Sequence, residues 1–285
     1  MKSIVPWYLA LLALVCLNLE SWAQDAKQGT AERSEIPGVG DAPLLSEQDG
    51  PVYVWEEKER RPRGETQLAV YGGQAWTQSS DVRFHVNGNT DMTYHGVPWF
   101  TDPFGTPPYY GFRATHFFAA DPHWGLMLDF AHDKMLAEMN TPLELTGVRN
   151  GQPIHTVETI GQTLSHFQFT DGINFLTLNA VYRAFLFPTE SRPRGWLQPY
   201  IGGGMGVSIP TMETTFIGKP DTHRYEWRGP AFQAVAGTHV VLLEHVSLFF
   251  EYKFNNVVVN GNLNEGTLRT VVNSHQFIIG PSLNW

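Results

Sequence analysis

The chain has little cysteine, little charge and, past its first two dozen residues, no long apolar run. Cys16 is its only cysteine, and it falls within an apolar leader, so a processed chain carries no thiol. That excludes disulfides, cysteine nucleophiles and cysteine metal sites. Charged residues make up 16% of the sequence and aromatics 13%, a balance poor in charge and rich in rings for a soluble domain. The formal charge of −9, with no Lys/Arg cluster on a reading helix, excludes nucleic acid as a partner. No later apolar run is long enough for a membrane helix. Familiar catalytic signatures are also missing: there is no G-x-S-x-G elbow, no H-E-x-x-H, no Walker loop, and no flavin or nicotinamide fingerprint. Gly202-Gly203-Gly204 has no helix after it and reads as packing in a curved sheet, not as a phosphate loop.

What is present begins with Lys2, an apolar run from Ile4 to Leu19, and small residues at Ser21 and Ala23. Residues 1–23 read as a secretory signal peptide. The run is short for a spanning helix, which sets aside an uncleaved anchor. Residues 24–64 are polar, with proline, glycine and mixed charge, and read as a disordered tether. Residues 65–285 alternate with period two.

The clearest stretch runs from Tyr109 to Lys134, two strands around a turn at Asp121-Pro122. Trp124, Leu126, Leu128 and Phe130 share one face; Gly125, Met127, Asp129, Ala131 and Asp133 share the other. Pairing Arg113 with Asp129 makes the apolar faces of both strands coincide. Further strands are expected at 65–76, 172–185, 199–209, 230–242, 246–254 and 274–285, eight in all. Long connections (79–108, 136–168, 210–227, 255–273) alternate with short turns. The side opposite the large apolar groups carries Arg113, Asp129, Asp133, Asn179, Arg183, Gln233, Glu251, Lys253 and Gln276. A soluble barrel puts its large apolar groups inside; this polar set faces inward only if lipid lies outside. The expected fold is all-β: an eight-stranded antiparallel transmembrane β-barrel with long extracellular loops and short periplasmic turns, in the bacterial outer membrane. Its interior is too narrow for a pore, and closure needs no second copy, so a monomer is expected. Trp285 as the last residue resembles the terminal aromatic that the barrel-assembly machinery of Gram-negative bacteria reads.

The phrases PYYGFRATHFF, WGLMLDFAHDKM, FTDGINFLTLNAVYR and LQPYIGGGMGVSIPTME, taken together, resemble the outer-membrane lipid A oxidases of rhizobia and related bacteria. The resemblance covers the chain from about Tyr109 to Glu213, and the rest of the barrel more loosely. It implies an enzyme of the outer leaflet that oxidises the proximal glucosamine of lipid A, within lipopolysaccharide, to 2-aminogluconate. Molecular oxygen is the implied co-substrate and a divalent metal the implied cofactor.

The chemistry-bearing residues gather at the long-loop end of the third and fourth strands: Asp129, His132 and Asp133, then His166 and Asp171. Imidazole and carboxylate suit a catalytic Fe, Mn, Co or Zn site. His132, His166 and Asp133 form the expected metal set, with open positions suited to oxygen. Two structural readings stand beside this one. In the first, which for these residues stands ahead of catalysis, Asp129 and Glu251 pair with Arg113, Arg183 and Lys253 inside the lumen. His132 shares parity with the lipid-facing residues, which makes it a rim histidine at headgroup level. A non-catalytic barrel, serving as an anchor or surface-interaction protein, is the alternative function.

Overall fold

A computed structural model describes residues 64–86, 88–101, 108–216, 222–225, 229–263 and 266–285. The expected signal peptide and almost all of the tether lie outside the described residues. Fourteen strands follow in order: β1 (Glu65–Thr77), β2 (Ser80–Val86), β3 (Thr90–Val97), β4 (Trp99–Thr101), β5 (Tyr110–Phe117), β6 (Trp124–Ala137) and β7 (Pro142–Arg149). After them come β8 (Gln152–Thr159), β9 (Leu164–Arg183), β10 (Leu197–Phe216), β11 (Thr222–Tyr225), β12 (Pro230–Leu243), β13 (Val246–Leu263) and β14 (Gly266–Asn284).

Eight of these form a ring in the order β1-β5-β6-β9-β10-β12-β13-β14, every neighbour antiparallel. The β1–β14 ladder closes it, Leu68 opposite Leu283 and Gly73 opposite Ile278. The seam continues to the last residue, where Thr66 and Trp285 exchange backbone hydrogen bonds of 2.9 and 3.0 Å. Closure leaves no free edge around the ring. Each ring strand is one expected from alternation, and the β5–β6 register sets Arg113 opposite Asp129 and Tyr110 opposite His132, as the coincident apolar faces require.

The long connections depart from expectation: they are largely strand. β2, β3 and β4 occupy much of the 79–108 segment, and β7 and β8 much of 136–168. The upper part of β14 recruits β2, then β3, β7 and β8 in turn, which raises one side of the barrel into a tall sheet. The physical reason is a second alternation. Val82 and Phe84, Met92 and Tyr94, Leu143 and Leu145, Val257 and Val259, and Leu268 and Val272 are all buried in one cluster. The turns have their own chemistry: Asn150 (φ 53°) and Gly151 (φ 78°) form the two-residue turn between β7 and β8. Two successive positive φ values are what a type I′ hairpin demands, and Asn-Gly supplies them best.

The barrel therefore inverts along its length. In the ring, apolar side chains face outward and stay exposed: Leu68, Leu126, Leu128, Leu178, Phe232, Phe250 and Ile279 among them. Polar side chains fill the inside. In the raised sheet the apolar residues turn inward and the outer face is polar. An apolar exterior over a polar interior is unfavourable in water and favourable in lipid. An apolar interior under a polar exterior is the reverse. The inversion sets the ring in a bilayer and the raised sheet in water. The change falls near His132, Asn174, Asn256 and His275, just past the aromatic cluster of Tyr110, Phe112 and Phe130 and that of Tyr252 and Phe277. Amphipathic rings at such a level match an interfacial girdle.

Candidate functional site at the outer rim of β6 and β9

Inside the ring, Arg113 extends a two-pronged contact to Glu251, with Nη1 and Nη2 each donating at 2.7 Å. Its Nε donates to Asp129 at 3.0 Å. Lys253 Nζ donates to the other Asp129 oxygen at 2.5 Å and to the Tyr71 hydroxyl at 2.7 Å. Gln233 donates to Asp129 at 3.0 Å, and the Tyr200 hydroxyl to Glu251 at 2.7 Å. Gly111 makes the geometry possible, because a Cβ there would lie 2.0 Å from the Tyr71 ring. Two cations and two carboxylates balance, and each is buried. Asp129 thus has its lone pairs occupied by structural donors, and this cluster fills the lumen.

One layer higher, Asp133 is buried on the inner face. Ser274 donates to it at 2.9 Å and Gln276 at 3.1 Å. The Tyr109 hydroxyl donates to Gln276 at 2.6 Å, which fixes that amide. Among the described residues no Lys, Arg or His forms an ion pair with Asp133.

His132 is the next residue along β6 and so points the other way. It is only 3% exposed although its strand neighbours of the same parity, Leu128 and Leu126, are open to the exterior. Its Nδ1 donates to Asn174 Oδ1 at 2.8 Å, and Asn174 Nδ2 donates to the Ile209 carbonyl at 3.3 Å. The ring stacks on Tyr110 with centroids 4.8 Å apart and planes 16° off parallel. His132, Asn174 and Tyr110 come from three adjacent ring strands at the level where the outer wall changes from apolar to polar.

The expected metal set does not converge. His132 and Asp133 occupy opposite faces of β6. His166 lies in β9 opposite Thr215 of β10, well above Ile173, the register partner of Asp133. At about 3.3 Å per residue, that offset is roughly 23 Å along the strand. Asp171 is in β9, but its side chain lies outside the described residues. Among the described residues, no three His, Cys, Asp or Glu side chains are grouped to hold a metal ion. Among the described residues, those expected to hold the implied metal are not grouped to do so.

Sequence reasoning missed Asn174, although its parity with Leu176 and Leu178 already set it on the outer wall. It also missed a network in the raised sheet. Arg149 bonds Glu158, the Tyr94 hydroxyl donates to Glu158 at 3.0 Å, and the Thr163 hydroxyl lies 2.7 Å from the same phenol oxygen. Burial pushes the Tyr94 phenol up to about 12. The Arg149 guanidinium holds the Glu158 carboxyl below its ordinary range.

A closed antiparallel barrel with an outward apolar belt and a polar filling is the architecture of bacterial outer-membrane proteins, and this chain belongs to that class. No protein-family model matches it, and no curated protein does. Among solved structures it is similar to Neisserial surface protein A (NspA): 11% identity, 77% of this chain and 96% of the other, TM-score 0.38. It is also similar to the outer membrane protein OprG of Pseudomonas aeruginosa: 15% identity, 79% and 97% coverage, TM-score 0.39. A third is the outer membrane protein AlkL in lipid bilayers: 13% identity, 86% and 97% coverage, TM-score 0.38. At these scores the assignment rests on the closure and inversion of the barrel itself.

Proposed function

We propose that this outer-membrane barrel is an enzyme of the outer leaflet that oxidises the proximal glucosamine of lipid A to 2-aminogluconate with molecular oxygen. The sequence resemblance supports the reaction. The observation that carries the location is the His132–Asn174 pair, a polar couple on the lipid-facing parity at the headgroup level, 2.8 Å apart and braced by Tyr110. A glycolipid headgroup at that level would meet the wall beside this buried pair without entering the lumen. The hemiacetal carbon loses two electrons and two protons to oxygen, giving a lactone and peroxide, and water then opens the lactone to the acid. In this reading the His132 imidazole, once uncovered, accepts the proton of the hemiacetal hydroxyl. Purified full-length protein in detergent, given lipid A with a free anomeric hydroxyl, should consume oxygen and release peroxide. Failure of a heat-modifiable, folded sample to do so speaks against the enzyme.

A second reading, a non-catalytic surface barrel, is favoured by one observation: Asp129 is taken up by Arg113, Lys253, Tyr71 and Gln233 in a purely structural network. Under it, deletion leaves lipid A unchanged, and the raised sheet carries the function.

A further inference from the structure

The outer face of the raised sheet bears a second feature, remote from His132. Arg83 of β2 and Arg269 of β14 are direct partners across an antiparallel ladder, so their side chains leave the sheet on the same side. His85 and Thr267 form the next pair on that side. β13 adds Asn260 opposite Arg269 and Asn262 opposite Thr267. These six residues line a groove of about 300 Å³. Like charges directly opposite in a ladder are destabilising, and here they occur in a chain of net charge −9 with only 19 Lys and Arg among 285 residues. Asp91 offsets half of the charge: Arg83 Nε and Nη2 donate to its two oxygens at 2.7 and 2.5 Å. Arg269 has no ion-pair or hydrogen-bond partner among the described residues, is exposed, and aims into the groove.

We infer that this groove binds an oxyanion carried on a sugar, a phosphate monoester or a uronate carboxylate, with Arg269 as the principal ligand. A guanidinium fork matches the paired oxygens of either group. The amides of Asn260 and Asn262, with Thr267, supply the donors and acceptors that neighbouring sugar hydroxyls require. Arg83, held by Asp91, contributes field and a fixed wall. The groove stands above the apolar belt, at the height of the polar saccharide outside an outer leaflet. The site deepens the lipid A reading by giving an anionic sugar of that leaflet a place to dock, and it does not depend on oxidation taking place.

The test uses full-length protein in a neutral detergent, titrated by isothermal calorimetry or NMR with glucose 1-phosphate, galacturonate, glucose and inorganic phosphate. Glucose 1-phosphate or galacturonate should bind and glucose should not. Arg269→Gln should weaken binding about tenfold, and Arg83→Gln with Arg269→Gln should abolish it, with heat-modifiable folding retained. Inorganic phosphate binding as tightly as glucose 1-phosphate, with the same arginine dependence, would identify free phosphate as the source and overturn the sugar assignment. Equal affinity in wild type and Arg269→Gln, or no anion binding at all, would overturn the site. Oxygen consumption on lipid A, measured on the same samples, separates failure of this site from failure of the oxidase.

Discussion

Arg113 and Asp129 face each other across the β5–β6 ladder, and their side chains meet at 3.0 Å inside the barrel, both sealed from solvent. With Glu251 and Lys253 they form a neutral quartet in the lumen. Removing one member leaves a buried charge unmatched. Asp129→Ala should destabilise the barrel by about 3–5 kcal/mol, read as a lower urea midpoint in micelles. An unchanged midpoint would mean that the quartet is hydrated and loosely held.

Leu128 and Val157 are both exposed apolar side chains, at 47% and 66%. Their surroundings differ. Leu128 lies in the ring belt and meets acyl chains; Val157 lies in β8 of the raised sheet and meets water. Leu128→Arg should cost roughly 2–4 kcal/mol, and Val157→Arg close to nothing. Equal tolerance of the two would contradict the inversion.

The Glu158–Arg149 pair gives the raised sheet an acid sensitivity. Glu158 ordinarily titrates near 4.5 and is held lower here, first by its hydrogen bond to Arg149. Its folded form therefore binds a proton less readily than its unfolded form. The stabilisation is complete above the ordinary value and disappears as pH falls through the lowered one. Hydrogen exchange in β7 and β8 should accelerate on acidification before the ring responds, and Glu158→Gln should lose that acid step.

His132 and His166 separate two accounts of the chemistry. If the outer-wall pair acts on the headgroup, His132→Ala should lower lipid A oxidation about a hundredfold, while His166→Ala leaves it within about twofold. Equal loss in both, with folding intact, would restore the joint metal site expected from sequence.

The ring was legible because its alternation is long and carries charge: Arg113 and Asp129 fix a register, and every inward polar residue expected from parity is indeed buried. The raised sheet was not. Its strands are short and interrupted by turns, as at Gly88 and Asn89, both at positive φ. Alternations as brief as Val82 with Phe84 and Leu143 with Leu145 then pass for loop. Asn150-Gly151 was the available hairpin signal. For the site, parity already set His132 against Asp133. Joining them required a bulge between the two, whereas the register irregularity falls after Asp133, before Met135.

The most direct test is mass spectrometry of lipid A from cells with and without this gene, grown with oxygen. If the barrel is the oxidase, a species heavier by one oxygen on the proximal sugar is present only with the gene and is lost under anoxia. Identical lipid A from both strains, with the protein folded in the outer membrane, would contradict that assignment.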